Sequence, residues 1–233
     1  MTSSLAAGDW RRRLADIQSG WIWAVLAWWV VVLAWGDQLP IQCFDHYWSH
    51  AANQGLKLLS DGSLWIGYLA MLAVLVRGYA LGDLAMRAYA WSYFATQMII
   101  SGGVVQLLKM TIGRARPGLE DLNGALHPDL LVASPNFHSF PSGHTTDLMI
   151  SAVFIAGLLP RPEQRRCCLI IAAGLVALRV LLVKHWPTDV LAGVVLGGGG
   201  ALLVIGLVIG AATDVARPET AAVPLAGAEF GKV

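Results

Sequence analysis

Six long apolar runs constrain this chain more than any other feature. They fall at Trp21–Trp35, Leu64–Val76, Ala88–Leu108, Thr145–Leu159, Cys167–Val183 and Val190–Ala211. A helix crossing the hydrocarbon core of a bilayer needs about 20 residues. The second and fourth runs are short, so their ends must lean into the interface or the local bilayer must thin. A soluble bundle would need a polar face on each of these helices, and those faces are missing. Charged residues make up 13% of the chain, roughly half the quarter a soluble domain carries. The reading is an all-α, polytopic membrane bundle with six transmembrane helices, a single domain over residues 1–233.

The basic residues orient it. Alternating sides place Arg11, Arg12, Arg13, Arg77, Arg87, Arg161, Arg165, Arg166, Arg217 and Lys232 together, against Lys57, Lys109, Arg114, Arg116, Arg179 and Lys184. The more basic side is expected to be cytoplasmic. Both termini therefore belong there: residues 1–19 as a leading segment and 213–233 as a disordered tail. The first run reads as an uncleaved anchor, because no small-residue cleavage site follows Trp35. Trp21, Trp23, Trp35, Trp65 and Trp186 fall near span ends, where amphipathic rings settle. Ile41, Phe44, Trp48, Ala52 and Leu59 recur at helical spacing, which suggests a helix lying in the outer interface.

Several features point to nothing chemical. Net charge near +1 gives no argument for nucleic acid. Cys43 stands alone, and the adjacent Cys167 and Cys168 are a poor disulfide pair. His46 and His50 have the spacing of two zinc ligands on one helix face, but no third ligand follows, so no metal is expected. Gly197 to Gly200 suit close helix packing, within or between chains. Oligomeric state is not readable.

Three polar clusters land on the outer side. Lys109 and Arg116, with Gly113 and Pro117 breaking the helix around them, aim cations at one place; a lysine and an arginine fork together suit phosphate. Pro141-Ser142-Gly143-His144 opens the fourth run, where free backbone N–H groups and the helix dipole favour an anion. His144 beside that anion is placed to give a proton to a leaving oxygen. Arg179, inside the fifth run, needs a counter-anion at that depth. His185 and Asp189 follow, expected to face each other across a turn because Pro187 interrupts the helix. The carboxylate would hold the proton on one imidazole nitrogen and leave the other as nucleophile. Phosphoryl transfer needs these parts.

In order and spacing these residues resemble the signature of the type 2 phosphatidic acid phosphatase superfamily, K-x6-RP, PSGH and SR-x5-H-x3-D. Lys109 to Arg116-Pro117 has the first spacing, Pro141 to His144 matches the second, and Arg179, His185 and Asp189 match the third. Leu178 departs, standing where the family usually has serine. The resemblance implies metal-independent hydrolysis without a cofactor, through a phosphohistidine. His185 would be nucleophile, Asp189 its partner and His144 the acid and later the base. Lys109, Arg116, Ser142, Gly143 and Arg179 would hold the phosphoryl oxygens.

The expected protein is thus a lipid phosphate or diphosphate phosphatase of the bacterial inner membrane with a periplasmic site. Undecaprenyl diphosphate, phosphatidylglycerophosphate, phosphatidate and lipid A phosphate are all open as substrates. A lipid phosphotransferase with the same site, or a non-catalytic anion-binding protein or transporter, are the alternatives. Arg114 reads as a solvated charge, with contact to a second phosphate as the other option. Asp147 is expected to support His144 or Arg179, and His127 and His138 to be bystanders.

Overall fold

A computed structural model describes residues 7–37, 50–118 and 134–215. The described residues are helical and form six rods. They are α1 (Ala7–Trp35), α2 (His50–Ala80), a bent rod made of α3 (Leu84–Thr96), a π-helical stretch (Gln97–Val105) and α4 (Gln106–Ile112), then α5 (Gly143–Leu158), α6 (Pro162–Leu181) and α7 (Pro187–Val215). Trp10–Trp35, Ala52–Ala80 and Pro187–Val208 are long and apolar enough to cross a bilayer. At 16 residues α5 rises only about 24 Å.

That short helix is the centre of the bundle. Met149, Ile150, Val153, Phe154 and Ala156 are fully buried, and α1, α2, α6 and α7 all pack against it. A helix that is apolar all round has no other place to go. The outer rods reverse the pattern: Trp23 is 69% exposed, Leu33 70%, Leu58 74% and Met98 75%. Large apolar side chains standing outward on most rods describe a surface matched to lipid rather than water.

The glycines of α7 serve packing within the chain. A Cβ on Gly197 would lie 2.4 Å from the Thr146 carbonyl oxygen of α5, and one on Gly198 would lie 2.2 Å from the Trp21 ring of α1. These close approaches let α1, α5 and α7 share a core. Trp21 donates its indole N–H to the Val194 carbonyl at 3.1 Å, so it faces inward rather than sitting in an interfacial belt. Trp23, Trp35 and Trp65 are exposed.

Two expectations about the chain's course change. Residues 50–59 are the first turns of the 31-residue α2, so Ala52 and Leu59 belong to that rod and not to a separate interfacial helix; Ile41, Phe44 and Trp48 lie outside the described residues. The last helix continues to Val215, past the expected start of the tail at residue 213. The tail beyond residue 215, the segment before Ala7, Cys43, His127 and the His46–His50 pair lie outside the described residues or side chains.

Candidate active site

The end of the bundle where α4 stops and α5 and α7 begin gathers the three sequence clusters. Gly113 ends α4 in the left-handed conformation (φ 58°), and its N–H caps the Lys109 carbonyl. Glycine adopts that conformation at little cost. The chain then runs back beside Asn136–Ser139: the Arg116 N–H donates to Asn136 O at 2.9 Å and the Ser139 N–H to Arg114 O at 3.0 Å. This pairing brings Ser139 under the α6–α7 turn. That turn is a true break, since α6 ends at Leu181, Val183 adopts φ 55° and α7 starts at Pro187.

His185 sits in the turn, 2% exposed. Its Nδ1 lies 2.8 Å from the Ser139 carbonyl oxygen. A carbonyl only accepts, so Nδ1 carries the proton and Nε2 keeps its lone pair. Asp189 Oδ2 stands 3.6 Å from the same nitrogen, beyond hydrogen-bond length. The ring thus has two neighbours on that nitrogen: the Ser139 carbonyl at hydrogen-bond length, and the carboxylate of Asp189 close beside it. Burial, with Arg116 and Arg179 adding to it, pushes the His185 pKa down against the pull of Asp189. The imidazole is accordingly neutral at neutral pH.

Asp189 is fully buried and richly bonded. Its Oδ2 accepts from the Ser139 hydroxyl and, at 2.9 Å, from the Trp186 N–H. Its Oδ1 accepts from Arg114 at 2.7 Å, and Arg114 also reaches Asp37 at 2.6 Å. Thr188 ties Asp37 down through its N–H and hydroxyl. Arg114 is thus the counter-ion of a buried carboxylate, neither a solvated charge nor free for a second phosphate. Trp186 faces inward too: it donates to Ala115 O at 2.8 Å and stacks under Arg114.

The PSGH segment leads directly into α5. Ser142 is the N-cap residue, yet its side chain makes no capping hydrogen bond; its hydroxyl accepts from Thr145 at 2.9 Å. Its N–H donates to Asp189 O at 3.0 Å, which locks α5 to α7. A Cβ on Gly143 would stand 3.2 Å from Lys109 Nζ, so the ammonium lies against the start of α5, where backbone N–H groups converge.

Across from these lie His144, Arg179 and a residue the sequence reading left out. Asp61 of α2 places Oδ1 3.2 Å from His144 Nε2 and 3.2 Å from Arg179 Nη1. Ser60 adds its hydroxyl to Arg179 at 3.1 Å. Asp61, not Asp147, is therefore the counter-anion of Arg179 and the neighbour of His144. Asp147 turns towards Ser101 and the Lys109 charge, with a buried oxygen that has no partner. Arg179 Nε is likewise buried without an acceptor. Arg116 donates to the carbonyls of Pro135, Lys184 and His138. It therefore ties loops together while its charge reaches Lys109, Arg179 and His185.

Residues 90–212 match the PAP2 superfamily, just over half of the chain. The chain belongs to that superfamily. It is 38% identical over 112 residues to a lipid A 1-phosphatase of Rhizobium etli and 36% identical over 112 residues to one of Rhizobium johnstonii. Those stretches cover 48% of this chain and 47% and 45% of the relatives, so the chain spans about half the length of the curated relatives it matches. No solved structure matches it. The matched PAP2 region contains all three sequence clusters, while Asp37 and Asp61 lie before it.

Proposed function

We propose that this PAP2 protein is a phosphatase of a membrane lipid, working by a phosphohistidine on His185. The observation that carries the reading is the fixed tautomer: a buried imidazole with Nδ1–H held by the Ser139 carbonyl presents Nε2 as a nucleophile. Lys109, Arg116, Arg179, the Ser142 hydroxyl and the Gly143 N–H would bind the phosphoryl oxygens. The unpartnered Arg179 Nε–H is a donor suited to one of them.

In the first step Nε2 bonds to phosphorus, the bond from phosphorus to the lipid oxygen breaks, and His144 gives that oxygen its proton. The negative charge of the bound phosphate, with Asp61 on the other side of the ring, favours the imidazolium form of His144 that this step uses. The positive charge on the phosphorylated ring is stabilised by Ser139 O and by the Asp189 carboxylate. In the second step His144 takes a proton from water, the water oxygen bonds to phosphorus, and the bond between phosphorus and Nε2 breaks to release phosphate. The cations supply the charge stabilisation, so the reaction as drawn needs no metal.

Lipid A 1-phosphate heads the candidate substrates, because both relatives carry that name and both are bacterial. A cavity of about 110 Å³ between α2, α5 and α6 shares Ser63, Leu148 and Leu175 with the lining of His144 and Arg179. It places a small apolar recess beside the site. All six rods would span the inner membrane, with termini in the cytoplasm and the site on the periplasmic side. Arg165 bonding Asp16 at 2.6 Å supports this, since it joins the basic starts of α1 and α6 at the opposite end. The test is phosphate release by detergent-purified protein from a panel of lipid phosphates with EDTA present. Release from lipid A 1-phosphate above the others supports the reading, and no release from any lipid defeats it.

A further inference from the structure

Asp61 stands where its chemistry opposes the function of its neighbours. A site that must collect a phosphate gains from every cation and loses from each carboxylate nearby. Asp61 nevertheless places one oxygen within 3.2 Å of both the His144 imidazole and the Arg179 guanidinium. These are the two groups that the proposed reaction assigns to the leaving oxygen and to the phosphoryl oxygens. The contacts are long for charge-assisted hydrogen bonds, and the Asp61 side chain is 45% exposed. By contrast the carboxylate of Asp189 is enclosed and bonded on both oxygens. Asp61 is thus more open and held at longer range than Asp189, and it rides on α2, outside the region matched to the superfamily.

We infer that Asp61 is an internal competitor for phosphate, holding the donors of His144 and Arg179 until the substrate's phosphoryl group displaces it. This rests on the phosphatase reading and adds a purpose to it. A cradle of three cations binds inorganic phosphate, the product, as well as it binds the ester. A carboxylate that returns to the same donors speeds release of the product. It also leaves the Arg179 Nε–H and Lys109 to the incoming group, so the site is weakened without being blocked.

The experiment is calorimetric titration of inorganic phosphate into the purified full chain, comparing wild type, Asp61→Asn and Asp83→Asn. Asp83 caps α3 through the Met86 N–H near the other end of the bundle. Its variant removes the same charge at a distance. Asp61→Asn should bind phosphate about two- to fivefold more tightly, the scale of a partly exposed ion pair. Its Ki for phosphate against lipid turnover should fall by the same factor. Asp83→Asn should match wild type. Because displacement acts at contact range, the gain should persist at high salt.

Unchanged or weaker phosphate binding by Asp61→Asn would overturn the inference, and so would a gain that salt abolishes. A gain in phosphate affinity accompanied by a raised KM for lipid would also overturn it, by making Asp61 an acceptor for the substrate itself. Absence of phosphate binding by all three proteins would instead defeat the cradle, and the inference with it.

Discussion

The two histidines occupy opposite kinds of surroundings. Around His185 the polar groups are interlocked: Ser139, Trp186, Arg114, Thr188 and Asp37 all serve Asp189 or one another, mostly at 2.6–3.0 Å. Around His144 the contacts are longer and half-exposed, and Arg179 Nε has no acceptor. A nucleophile gains from rigidity, since its lone pair must already point at phosphorus. An anion cradle must keep donors to spare. The first region should therefore carry stability as well as activity, and the second activity alone.

The largest effect tests the nucleophile. His185→Ala should lower phosphate release by about 10⁴-fold or more, to the background of an assay, while lipid still binds. Next comes Arg114→Ala, which strands the buried Asp189 carboxylate and should cost roughly 3 kcal/mol of stability, read as a lower midpoint in thermal or denaturant unfolding in detergent. Arg114→Lys should recover part of it, since a lysine keeps the charge and loses the fork. If Arg114→Ala unfolds like wild type, the interlocked half of the comparison is wrong.

Arg179→Lys should behave the other way. Its unfolding midpoint should stay near that of wild type, while phosphate release falls by about tenfold to a hundredfold, because the fork that faces the phosphoryl group is lost. The smallest effect is in pH. The His185 pKa is lowered by burial, and protonating Nε2 destroys the nucleophile. The acid limb of kcat/KM should therefore lie below the ordinary histidine value of about 6.5. Activity is lost as pH falls through that limb. A limb at or above 6.5 would contradict the buried, neutral imidazole.

Much of this was legible in the chain. The apolar runs gave the helices, and Pro187 correctly placed a turn between His185 and Asp189, because proline's missing N–H and fixed φ act locally. The three clusters were found by residue type and spacing. What escaped was the set of partners. Ser139 works through its carbonyl, which any residue supplies, so no letter marks it. Asp61 is distant in sequence, and one carboxylate in an apolar helix names no partner. Arg114 was visible but misassigned: outside the matched spacing it read as a solvated charge, whereas the buried Asp189 takes it as a counter-ion. Trp186 likewise looked interfacial by position and is held inside by its N–H bond to Ala115.

The most direct measurement is to trap the covalent intermediate. The purified protein would be mixed with lipid A 1-phosphate, quenched within the first turnover under alkaline conditions that preserve phosphohistidine, and mapped by mass spectrometry. The account predicts one phosphoryl group on His185, absent from His185→Ala. Phosphate released with no label on His185 at any quench time, or a phosphoryl group on another residue, would contradict it.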